Sequence, residues 1–70
     1  MTKTITANYD SSGKIRNARE DLIASGIDQE KIYVSDESRQ LKVLVPGAVE
    51  PEITEILRRH DPDKVEAHET

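Results

Sequence analysis

The residues best placed to do chemistry lie in a short polar turn, Asp10-Ser11-Ser12-Gly13-Lys14, between an alternating segment and a helical one. The start of a helix presents unpaired N–H groups and a partial positive charge, and both favour an anion. Glycine would let a ligand approach the backbone, and the lysine would add charge. We therefore predict Ser11, Ser12, Gly13 and Lys14 as ligand-binding residues for a small anion, against the simpler alternative of a capped helix with solvated charges.

A second candidate is one face of the predicted sheet, where Tyr33 would lie beside Lys42 and Leu44. An exposed aromatic residue near a lysine is typical of single-stranded RNA binding, but one tyrosine gives no stacking platform and the chain is acidic. We therefore predict no nucleic-acid binding. An apolar spot on this face indicates instead an interface with a second copy or another protein. The alternative is that the two apolar side chains are isolated and simply exposed.

Catalytic and metal-binding patterns do not stand out. The sequence contains no cysteine and two histidines, His60 and His68, which are not at metal-ligand spacing. His60 follows a predicted helix, where its protonated form would be favoured, and we interpret it as a capping or rim residue. So short a chain also has little room for a walled cleft. We predict no catalytic residues, no metal and no cofactor, and hence a protein that is not an enzyme.

The elements that would position these residues are organised around the segment Arg39–Pro46. Leu41, Val43 and Val45 alternate with polar residues, which is the pattern of a half-buried strand, and Pro46 ends it. A first strand over residues 2–9 also alternates. The period then changes, since Ile15, Ala18, Leu22 and Ile23 follow helical spacing and Gly26 with Ile27 indicates a left-handed helix end.

The remaining segments complete a recognisable order. We predict strands over about 2–9, 31–35, 39–45 and 64–68 and helices over about 12–25 and 51–60, with Ile32, Val34, Val65 and Ala67 pointing inward. The order β-α-β-β-α-β predicts a ferredoxin-like α+β sandwich, a four-stranded antiparallel sheet with two helices on one face. Right-handed crossovers would place the first and third strands centrally. The uncovered face would carry Thr4, Thr6, Tyr33, Lys42, Leu44, Glu66 and His68.

Composition narrows the class of protein. Seventy residues fit one domain, over 1–70, and without cysteine there is no disulfide framework. The net charge of −4 disfavours binding to nucleic acid or to anionic lipid. No apolar run approaches the ~20 residues that span a bilayer, and no secretory leader is visible, so we expect no membrane association and a cytoplasmic location.

Two resemblances follow from these segments. Tyr9-Asp10-Ser11, Ala18, Asp21-Leu22, Gly26-Ile27 and Glu30 to Val34 together resemble the small general-stress-protein type domain of bacteria, a resemblance that covers about half the chain and implies no catalytic residues. The run Asp10-x-x-Gly13-x-Ile15 resembles the opening of ACT-type regulatory domains. That resemblance implies the same element order and binding of small effectors, such as amino acids, at this turn and between paired copies. Ser12 stands where that family often has proline.

Two functions therefore remain open from the sequence. The first is a non-enzymatic cytoplasmic interaction module that acts through self-association or association with a protein partner, as a homodimer through the Tyr33/Leu44 face or an edge strand. The second is an ACT-like domain that senses a small anion or amino acid at the Ser11–Lys14 turn.

Overall fold

Local sequence preferences set the elements of the computed structural model, which describes residues 1–69. Threonine or branched aliphatic residues make up more than half of each of the two central strands, whereas the helices begin after Ser11 and near Pro51. Two short 3₁₀ turns, Gln29–Lys31 and Gly47–Val49, precede β2 and α2. The elements in chain order are β1 Thr2–Asn8, α1 Ser12–Ala24, β2 Ile32–Ser35, β3 Gln40–Pro46, α2 Glu50–Arg58 and β4 Lys64–Glu69.

The four strands form one antiparallel sheet in the order β2-β3-β1-β4. The first and third strands are central, as the crossover rule predicts. Ile5 lies opposite Val43 on one side and Ala67 on the other, so one register runs across the three strands. The structure therefore shows the predicted ferredoxin-like α+β arrangement, with both helices packed on the face that carries the buried strand residues.

The core lies between the sheet and the helices and is built mainly from aliphatic side chains. Odd-numbered residues of β1 and β3 face it because side chains alternate along a strand. The buried residues are Ile5, Ala7, Tyr9, Ile15, Ala18, Leu22, Ile32, Leu41, Val43, Val45, Ile53, Ile56 and Leu57.

Helix α1 ends as its sequence predicts. Gly26 adopts a φ of 101°, and its N–H donates to the carbonyl of Ile23 at 3.0 Å. The N–H of Ile27 donates to the carbonyl of Leu22 at 3.1 Å, and the Ile27 side chain packs against the core. This is the Schellman arrangement, in which glycine takes the left-handed position and an apolar residue follows it.

Three residues predicted to point into the core are exposed instead. Val34 and Ala67 lie opposite buried residues, Leu41 and Ile5, and so occupy the helix-bearing face. Val34 is nevertheless 41% exposed, Ala67 is also exposed, and Ile23 on α1 is 37% exposed. The two strand residues belong to edge strands, where two helices do not cover the full width of a four-stranded sheet. Alternation predicts the face of a side chain but not the extent of its cover.

Within residues 1–69, neither helix has the length and apolar character needed to cross a membrane.

Candidate functional site

The predicted ligand-binding turn forms the N-terminus of α1. Ser11 is the N-cap, and its Oγ accepts the backbone N–H of Lys14 at 3.2 Å. Ser12 is exposed and begins the helix. A Cβ added to Gly13 would meet only Ser11 Oγ, at 4.0 Å, so its surroundings do not require glycine. One of the N–H groups expected to attract an anion is therefore already bonded within the chain.

The Lys14 ammonium group lies between two carboxylates. Its Nζ is 3.0 Å from Asp10 Oδ1 and 3.2 Å from Asp61 Oδ2. These hydrogen bonds, first the one with Asp10 and then the one with Asp61, raise the pKa of Lys14. Sequence reasoning missed Asp61, which is 47 positions away along the chain. An anion site at this turn stays a prediction, and the contacts of Lys14 do not favour it.

The uncovered face of the sheet brings the predicted interface residues together. Tyr33 lies opposite Lys42, and Leu44 is two residues further along β3 on the same face. Tyr33 is 54% exposed, whereas Leu44 is half-buried. The apolar spot predicted from the sequence is therefore small, and it adjoins a lysine.

Charged side chains cover the β4 side of this same face. Lys64 Nζ lies 2.6 Å from Glu66 Oε1, and His68 Nε2 lies 3.2 Å from Glu66 Oε2. The hydrogen bond with Lys64 is the main cause that lowers the pKa of Glu66, and it raises the pKa of Lys64. Burying this face would remove several charges from water, which is costly.

The two histidines lie apart from each other. His60 Nε2 is 2.9 Å from Asp21 Oδ2, so that His60 links the end of α2 to α1, and both side chains are half-buried. Its predicted rim position fits this contact, although Asp21 was not foreseen as its partner. Among residues 1–69, no three histidine or acidic side chains are grouped so that they could hold a metal ion.

The backbone hydrogen bonds at the two ends of the β1–β3 pairing show which way the N–H and C=O groups of both strands point. The Tyr9 N–H donates to the Arg39 carbonyl at 2.9 Å, and the Gly47 N–H donates to the Met1 carbonyl at 2.6 Å. Both pairs are odd-numbered. Because a residue's N–H and C=O point to the same side of an antiparallel strand and alternate along it, odd residues of β3 face β1 and even ones face β2.

The same alternation fixes the outer edge of β2. The backbone N–H and C=O of Lys42 point toward β2. Those of Tyr33, which lies opposite Lys42, must therefore point toward β3. Ile32 and Val34 therefore direct theirs outward. The N–H of Ile32 donates to the Gln29 carbonyl in the preceding 3₁₀ turn. Val34 is thus the residue of β2 whose N–H and C=O both point away from the sheet and have no backbone hydrogen-bond partner within residues 1–69.

Apolar side chains accompany this backbone edge. Tyr33 on the uncovered face and Val34 on the helix-bearing face are two of the four large hydrophobic side chains that are exposed in the described part of the chain. They are consecutive in one edge strand. The opposite edge strand, β4, carries Lys64, Glu66, His68 and Glu69, and charges are a common protection against edge-to-edge pairing.

Comparison with protein-family models, with curated proteins and with solved structures finds no match to this chain.

Val34 is the residue of this edge that sequence reasoning wrongly placed in the core. The signal that could have found it was the strand order, because a second strand in this topology lies at an edge. An apolar residue on the helix-bearing face of an edge strand is the least covered by the two helices.

Proposed function

We propose that this chain is a small, non-enzymatic cytoplasmic interaction module that pairs with a second copy of itself through the outer edge of β2. The observation that carries the proposal is the coincidence, at Val34, of an outward-facing backbone and a side chain that is 41% exposed. An exposed edge of this kind accepts another strand, which provides main-chain hydrogen bonds while apolar side chains lose contact with water.

The edge is a better interface than the uncovered face. Packing that face against another copy would bury Lys42 and the Lys64–Glu66–His68 group without new partners for their charges. Pairing along β2 leaves these side chains in water. It also uses Tyr33, one of the three residues for which an interface was predicted, and leaves Lys42 and Leu44 beside the seam.

A second copy suits the edge because an antiparallel pair of identical strands is related by a two-fold axis, the commonest symmetry of homo-oligomers. Four residues of each copy form the seam. Interfaces this small belong to the weak class, and we expect a dissociation constant on the order of 0.1–1 mM.

Sedimentation and NMR diffusion, measured from about 10 μM to about 2 mM, test the proposal in the concentration range of weak interfaces. The unaltered chain should pass from monomer to dimer. Val34→Lys should remain monomeric, because a lysine at the edge would have to be buried on pairing. A chain that stays monomeric at millimolar concentration would overturn the proposal.

Two control variants separate the surfaces. Ala67→Lys adds the same charge to an exposed apolar residue of the other edge strand and should leave dimerisation unchanged. Leu44→Asp changes the uncovered face and should also leave it unchanged. Loss of the dimer in Leu44→Asp, with thermal unfolding intact, would assign the interface to the uncovered face instead.

A further inference from the structure

The hydrogen-bonding pattern of β2 restricts how two copies can pair. When two identical strands pair antiparallel, the residue numbers of any two facing residues add up to the same constant. Facing residues share one side of the sheet, so the constant is even and the two-fold axis lies between the two copies of one residue. The registers that centre within β2 place this axis at Ile32, Tyr33, Val34 or Ser35.

We infer that the two-fold axis passes at Val34, which faces its own counterpart; this rests on the proposed function. Val34 directs both its N–H and its C=O outward. Facing Val34 residues would exchange two hydrogen bonds across the axis, and their exposed side chains would meet on the helix-bearing face. This register therefore gives the backbone groups of Val34 hydrogen-bond partners and removes its side chain from water.

The other three registers satisfy the backbone less well. A centre at Tyr33 pairs Ile32 with Val34 of the second copy, and the carbonyl of Val34 would then need the N–H of Ile32. That N–H already donates to the Gln29 carbonyl. A centre at Ile32 meets the same obstacle, because the facing Ile32 residues would have to exchange this N–H. A centre at Ser35 would pair Val34 with Asp36, which lies beyond β2 in the following turn, so the outward groups of Val34 would not face a strand residue.

Charge at the two ends of β2 fits antiparallel pairing. Lys31 immediately precedes β2 and Glu37 lies in the turn after it, so antiparallel pairing brings the lysine of one copy toward the glutamate of the other, and the symmetry repeats this pair of opposite charges. Both residues are exposed, so their side chains are free to adjust at the seam.

The assembly that results is a continuous sheet of eight strands, with β2 of each copy at the middle and β4 at both outer edges. Because the axis is perpendicular to the sheet, the helices of both copies lie on the same side. Each outer edge then carries the charged strand, which limits further growth.

Single cysteines test the register, because the chain has none of its own. Facing residues in a bonded antiparallel pair have Cα atoms about 5.5 Å apart, within the range that a disulfide bridges. Val34→Cys should therefore form an intermolecular disulfide under mild oxidation at least about 10-fold faster than Tyr33→Cys, whose copies would be offset along the strands by two residues. Lys42→Cys, on β3, would be at least about 14 Å from its counterpart and should not crosslink.

The outcomes separate the two proposals. If the unaltered chain dimerises but Tyr33→Cys crosslinks faster than Val34→Cys, the register is wrong and the edge proposal stands. If Lys42→Cys crosslinks fastest, the edge itself is wrong. A chain without any dimer contradicts the proposed function before the register is considered.

A charge exchange gives a second measurement that does not alter Val34. Lys31→Glu and Glu37→Lys should each weaken dimerisation by about 3-fold, since each brings like charges together at the seam, and the double variant should restore it. Effects of the single variants that simply add in the double variant would contradict antiparallel pairing along β2.

Discussion

The phenolic hydroxyl of Tyr9 donates a 2.8 Å hydrogen bond to the backbone carbonyl of Leu57, 48 positions later in the chain. Tyr9 follows β1 and is 2% exposed, and Leu57 lies in the last turn of α2. The bond ties the end of a central strand to the helix that packs on it. A buried tyrosine needs such a partner because an unbonded hydroxyl in the core is costly.

Replacing Tyr9 by phenylalanine should lower the free energy of unfolding by about 0.5–1.5 kcal/mol, the net value of one neutral hydrogen bond. The loss is limited because the Leu57 carbonyl also accepts the N–H of His60 at 3.2 Å. Urea unfolding at micromolar concentration measures it. Tyr33→Phe is the matched control and should change stability by less than about 0.5 kcal/mol, as is usual at an exposed position. Equal effects of the two variants would contradict this role for Tyr9.

Stability should fall in alkaline solution in part through Tyr9. Burial raises the pKa of Tyr9 from its ordinary 10.0 to about 12. The unfolded chain therefore releases this proton first, so the contribution of Tyr9 is fully present below pH 10 and is lost as the pH rises toward 12. Tyrosinate absorbance in Tyr33→Phe, which leaves Tyr9 as the one tyrosine, should report this titration. The fall in stability should be shallower in Tyr9→Phe/Tyr33→Phe, and an equal slope would exclude Tyr9 as a cause.

The turn after α2 holds Asp61 in a left-handed conformation, with a φ of 57°. Glycine adopts this region without the Cβ clash that other residues meet. Asp61→Gly should therefore be more stable than Asp61→Ala by about 1 kcal/mol, and the lost contact with Lys14 cancels because both variants lack the carboxylate. At Asp63, where φ is not positive, glycine should give no such advantage. An alanine variant at position 61 as stable as the glycine variant would contradict the prediction.

The hydroxyl of Thr54 in α2 is buried and has no hydrogen-bond partner within residues 1–69. Thr54→Val keeps the shape and removes the unbonded oxygen, so unfolding free energy should stay the same or rise by up to about 1 kcal/mol. Thr54→Ser is the control, since it keeps the hydroxyl and deletes a methyl group, and should destabilise by about 1 kcal/mol. A cost above about 1 kcal/mol for the valine variant would show that the hydroxyl is bonded after all.

Much of the fold could be predicted because its signals are local. The alternation of Leu41, Val43 and Val45 selects a strand with one buried face, and Gly26 followed by Ile27 marks the end of α1. The central position of β1 and β3 follows from the handedness of the crossovers. Alternation along a strand does not predict whether the helices bury the side chains of an edge strand, and for this reason Val34 was expected in the core.

The candidate sites were harder to predict because their partners are distant in sequence. Lys14 was expected to attract an anion, yet Asp61 reaches it from the far end of the chain. His60 similarly contacts Asp21 on the other helix. Sequence spacing shows where the charged residues occur but not which of them contact each other in the fold. The interface residues Tyr33, Lys42 and Leu44 could be placed on one face because each alternates with apolar residues of the helix-bearing face in its own strand.

The central position of β1 also has a consequence for the order of assembly during synthesis. The β2–β3 hairpin needs only neighbouring residues and closes cheaply, whereas β1 pairs with β3 across a helix and with Lys64–Glu69 across nearly the whole chain. While the ribosome has not yet released Lys64–Glu69, the side of β1 that pairs with them stays unpaired. The first of the four strands to be translated is thus among the last to be fully enclosed, and a pause in translation before Lys64 would prolong the period in which a chaperone could hold it.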